Sequence, residues 1–71
     1  MTVRCIILKV TNDYYIGKSF STNKILKIIR NEHIRELKKK DDYEFYCRRE
    51  KRFFRDILIP ISEEEAFSIK D

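Results

Sequence analysis

One glycine, Gly17, and one proline, Pro60, are the only strong backbone punctuation in 71 residues. A chain this short makes one domain, residues 1–71, and has too little interior to waste on long irregular loops. With so few breakers, the elements must be regular and the turns between them short. Hydrophobic periodicity therefore carries most of the fold information.

The run Thr2 to Thr11 is rich in β-branched residues, with Val3, Cys5 and Ile7 on one parity and Ile6, Leu8 and Val10 on the other. A strand apolar on both faces must be covered on both. Asn12-Asp13 suits a turn, and Tyr14 to Phe20 returns as a second strand, with Gly17 marking a bulge or a close backbone approach. Ser21, Thr22 and Asn23 are N-cap candidates for a helix reaching about Lys39, with Ile25, Leu26, Ile29, His33 and Leu37 along one face. Lys38, Lys39 and Lys40 would complement its negative end, and Asp41-Asp42 would stop it.

Tyr43 to Arg48 alternates as a third strand, a turn falls near Arg49-Glu50-Lys51, and Arg52 to Ile61 forms a fourth strand ending at Pro60. Ser62 three residues before Glu65 is a capping box for a short terminal helix with Ala66, Phe67 and Ile69. The fold class that follows is α+β. A four-stranded, largely antiparallel sheet in ββ-α-ββ order carries one long helix on one face and a short C-terminal helix. The second apolar face of the first strand would then be covered by a homodimer partner, the favoured solution, or by the terminal helix.

Charge is concentrated. The formal net charge is +4, and the window Lys38 to Arg55 holds all of that surplus, with eight cations against four carboxylates. The same window contains Tyr43, Phe45, Tyr46, Phe53 and Phe54. Cations interleaved with flat rings suit a surface that meets phosphates and bases. They also suit an anchor for an acidic protein or nucleoprotein, since aromatic and Arg side chains are enriched at interface cores. The candidate contact residues are Lys38, Lys39, Lys40, Tyr46, Arg48, Arg49, Lys51, Arg52, Phe53 and Arg55.

Period-two geometry sends Glu44, Tyr46 and Arg48 to the face opposite Tyr43, Phe45 and Cys47. Turn parity then decides whether Phe53 and Arg55, or Arg52 and Phe54, join Tyr46 and Arg48.

Catalytic and cofactor signals are missing from the sequence. A lone glycine forms no phosphate-cradling loop, and His33, Cys5 and Cys47 have no zinc spacing. A Cys47–His33 pair would be buried and without oxyanion donors, so His33 reads as a packed helix residue. The expectation is a non-catalytic binding module without cofactor, contacting RNA or single-stranded nucleic acid through a basic-aromatic hairpin. The alternative is an inhibitor or adaptor of phage or mobile-element type, anti-CRISPR proteins being the comparison in size and simplicity. Two thiols in apolar runs read as reduced core residues of a cytoplasmic protein. The N-terminal run lacks the length and cleavage site of a signal peptide, and no stretch reaches the ~20 apolar residues of a membrane span.

Overall fold

A computed structural model describes residues 1–68, which form a closed five-stranded β-barrel with one short helix. The strands are β1 (Thr2–Val10), β2 (Tyr14–Ser19), β3 (Ile25–Ile29), β4 (Asp42–Glu50) and β5 (Ile57–Pro60), followed by α1 (Glu63–Ser68). Around the barrel the order is β1-β2-β3-β5-β4, with β4 returning to β1. Every neighbouring pair is antiparallel except β3 and β5, which run parallel. Ile69, read from sequence as part of the terminal helix, lies outside the described residues.

The long helix expected over about Ser21 to Lys39 does not exist, and the α+β ββ-α-ββ reading is wrong. Ile25-Leu26-Lys27-Ile28-Ile29 fits both periodicities, since short apolar runs do not separate helix from strand. Its three β-branched residues favour the strand. In β3, Leu26 and Ile28 enter the core while Ile25, Lys27 and Ile29 point out. Downstream, the Asn31 side chain accepts a hydrogen bond from the His33 backbone N–H at 2.9 Å, a local turn that competes with helix. The same side chain donates to the Pro60 carbonyl at 2.9 Å, tying the link to β5. The supposed N-cap residues Ser21 to Asn23 make the β2–β3 turn, with Asn23 at φ 63°.

The link from Arg30 to Asp41 behaves as a stopper. Ile34 and Leu37, the second of which was read as part of a helix face, are buried against the barrel interior. The Leu37 N–H donates to the Oη of fully buried Tyr15 at 2.8 Å. Asp41 Oδ2 accepts from the Lys38 N–H, and Lys40, at φ 78°, donates its N–H to the Ile7 carbonyl at 2.7 Å. Asp41-Asp42 therefore organises a turn and opens β4.

Closure buries one of the two apolar faces of β1. Cys5 and Ile7 line the interior, while Ile6 lies on the outside between β2 and β4. Closing the barrel removes the free edges of the sheet, while its outer face still carries the exposed Leu8 and Val10. The register of β1 shifts between Ile7 and Lys9, letting the strand curve. Gly17 marks a close approach: a Cβ there would lie 3.0 Å from Ile28 Cδ1 and 3.2 Å from Cys5 Cβ. Among the described residues no helix is long and apolar enough to cross a membrane.

Candidate nucleic-acid interface

The site is built outward from β4. Phe45 and Cys47 are buried, and Glu44, Tyr46 and Arg48 point out, as strand parity requires. β4 runs on to Glu50 and β5 starts only at Ile57, so residues 51–56 form a loop rather than the fourth strand expected from Arg52. The parity question for Phe53 and Phe54 disappears, because both rings belong to the loop. Each is 93% exposed, and the two meet edge to face at 4.7 Å with 85° between their planes. Leaving a Phe in water forgoes ~1.5–3 kcal/mol of burial, so two at one loop tip are an unusual outlay for a small domain.

The base of this loop is fixed. Arg49 turns inward and pairs with Asp56, with Nη2 at 2.6 Å and Nε at 2.8 Å from Oδ2. Hydrogen bonding and charge from Arg49 hold the Asp56 carboxyl below its usual range. Arg49 is thus a positioning residue and not a free cation. Arg52 reaches Glu50 at 2.6 Å. Lys51 and Arg55 are exposed and form no ion pair among the described residues. Beside the loop a groove of about 400 Å³ is bounded by Lys24, Ile25 and Leu26 on one side and residues 52–56 on the other. That is near the low end for pockets that take small ligands, room for one base rather than a folded oligomer.

The groove opens onto the outside of β2 and β3, which sequence reasoning did not include in the site. Tyr14, Ile16 and Lys18 of β2 lie opposite Ile29, Lys27 and Ile25 of β3. The Lys27 Nζ sits 4.5 Å from the Tyr14 ring centroid. On β5, Ile57 continues the row begun by Lys27. The alternations Tyr14-Ile16-Lys18 and Ile25-Lys27-Ile29 were the available signal, masked because one half was read as helix. Together with Arg49 to Asp56, this face and Lys24 hold seven cations and two carboxylates, a surplus of five against four for the whole chain.

Three expected members lie elsewhere. Lys38, Lys39 and Lys40 sit at the rim beside Val10 and Leu37, joined to β1 at Ile7. Between them and the loop runs β4, whose eight steps span roughly 26 Å at ~3.3 Å each. They cannot share one compact contact with Phe53. Tyr46 and Arg48 do point to the same side, but α1 lies over them. Phe67 meets the Tyr46 ring edge-on at 5.6 Å, and Glu65 Oε2 stands 3.9 Å from Arg48 Nε.

A second groove, about 300 Å³, involves Thr2, His33, Tyr43, Glu44, Tyr46 and Glu63. Its carboxylates suit phosphates poorly. His33 is on the loop surface, 3.2 Å from Glu32, and not packed on a helix. Cys5 and Cys47 are free and buried, their thiols pushed up to about 11 chiefly by burial. Both stay protonated near neutrality, which removes Cys47 as a nucleophile. Among the described residues no group of three His, Cys, Asp or Glu side chains could hold a metal ion.

The chain matches no protein-family model, no curated protein and no solved structure. The functional reading therefore rests on the geometry of this face.

Proposed function

We propose that this barrel is a small nucleic-acid-binding module that holds single-stranded RNA or DNA on the β4–β5 loop and the outer face of β2 and β3. The pair of exposed rings, Phe53 and Phe54, carries the reading. Rings set at 85° cannot both lie parallel to the bases of one continuous stack. They suit a base that has left the stack, as in a single strand, with Lys24, Lys51 and Arg55 near its phosphates.

The strand order adds support. A five-stranded Greek-key barrel is the plan of OB-folds, which bind oligonucleotides and oligosaccharides on strands 2–3 and the 1–2 and 4–5 loops. Here too the aromatic loop is the 4–5 loop. Fold alone assigns no function, so this supports the site and does not replace it. The buried, free thiols suit the reducing cytoplasm.

One observation favours a second reading. The β1–β2 turn is only three residues, Thr11 to Asp13, so the groove has one wall where such barrels use two. A one-walled site would also serve an inhibitor or adaptor of phage type that inserts Phe53 and Phe54 into an acidic protein or nucleoprotein.

Fluorescence anisotropy with a labelled twelve-nucleotide single strand separates the two. The proposed function predicts saturable binding whose log affinity falls with log salt at a slope of about −2 to −3, for three or four phosphates. No binding below about 100 μM at moderate salt rejects it. Capture of an acidic protein that survives nuclease and loses Phe53→Ala, Phe54→Ala supports the second reading instead.

A further inference from the structure

We propose that Tyr46 and Arg48 form a further nucleotide subsite, and that α1 occupies it in this structure. The inference rests on the proposed function and extends that same face onto β4. Arg48 lies opposite Ile59 of β5, which separates β4 from β3, so the subsite borders the positive face across one strand. A ring and a guanidinium two residues apart stand about 7 Å apart along a strand, close to the step between successive nucleotides.

What covers them has the matching chemistry. The Phe67 ring packs on Tyr46 where a base would, and the Glu65 carboxylate faces Arg48 where a phosphate would. Glu63, Glu64 and Glu65 make the first turn of α1 acidic. The cover is lightly held. Among the described residues the helix buries none of its six, Phe67 is 71% exposed, and β4 is the one strand it packs on. The Glu65–Arg48 separation of 3.9 Å is too long for a hydrogen bond. The six described residues would not by themselves hold a helix without tertiary contacts. A nucleic-acid strand offering a better base and a full phosphate charge displaces it.

The test uses the full chain and a labelled twelve-nucleotide oligothymidylate. The double variant Glu65→Gln, Phe67→Ala should bind about tenfold more tightly than the parent, the scale of one aromatic contact plus one exposed ion pair. Glu64→Gln removes the same charge from the same turn without facing Arg48, and should change affinity less than twofold. Adding Tyr46→Leu, Arg48→Gln should abolish the gain while leaving binding that still depends on Phe53 and Phe54. The subsite is overturned if the double variant matches the parent or Glu64→Gln, or if its gain survives the loss of Tyr46 and Arg48. Failure of the parent to bind the oligonucleotide at all overturns the proposed function and the subsite with it.

Discussion

Truncating both loop rings, Phe53→Ala and Phe54→Ala, should separate binding from stability. Each ring is 93% exposed and the two meet edge to face, so their removal opens no cavity. The unfolding free energy should move by no more than about 0.5 kcal/mol, the range of ordinary surface substitutions. Binding should fall much further. Base–aromatic stacking is worth ~1–3 kcal/mol per base. The perpendicular rings engage at most one base face each, so the double loss is about 2–6 kcal/mol, or roughly 30- to 25,000-fold in affinity. Anisotropy at three salt concentrations adds a sharper criterion. The rings carry no charge, so the line of log affinity against log salt should drop without changing slope. Unchanged affinity in a folded double variant would refute the stacking role. A changed slope would show that the rings matter only by shaping the cationic loop.

Charge should behave in the opposite way. Lys24→Gln with Arg55→Gln should flatten the salt slope by about 1.4, near 0.7 per lost phosphate contact, and an unaltered slope would remove both from the interface. The buried Tyr15 hydroxyl accepts the Leu37 N–H, so Tyr15→Phe strands that donor and should cost ~1–3 kcal/mol in urea unfolding; a neutral result would show that the 30–41 link is not anchored there. Asp56 is depressed below its unfolded value by Arg49, so its stabilising contribution is present above the ordinary Asp range near pH 4 and is lost as pH falls through the folded value. Melting temperature should therefore drop less between pH 5 and pH 2.5 in Asp56→Asn than in the parent, and parallel curves would contradict the pairing.

Much of the barrel was legible in the chain, but its closure was not. β1 and β2 emerged within a residue of their ends because alternation and a short polar turn are local signals. Outward Tyr46 and Arg48 followed from parity alone. β3 was lost because Ile25 to Ile29 is too short to distinguish its two periods, and Leu37, which plugs a barrel end with Ile34, fell on the same imagined helical stripe. The deciding contact is the parallel pairing of β3 with β5, Ile28 beside Leu58, thirty positions apart and without a local signature.

The site was half visible for a related reason. Lys38 to Lys40 and Arg52 to Arg55 are close in sequence, yet an extended strand of nine residues holds them at opposite ends. Tyr14, Lys18 and Lys27 were missed because a face shared by two strands cannot be seen until both are strands. Phe53, already a candidate contact, and Phe54 were read as residues of a fourth strand, whereas both rings stand exposed on a loop.

The central claim is spatial, and amide chemical-shift mapping tests it most directly. On titrating the labelled protein with single-stranded oligothymidylate, the largest changes should fall on Lys24, residues 51–55, and the Tyr14 and Lys27 rows. Lys38 to Lys40 at the far rim should stay still. Changes centred on Lys38 to Lys40, or spread evenly over all the lysines, would contradict a binding face built on the β4–β5 loop.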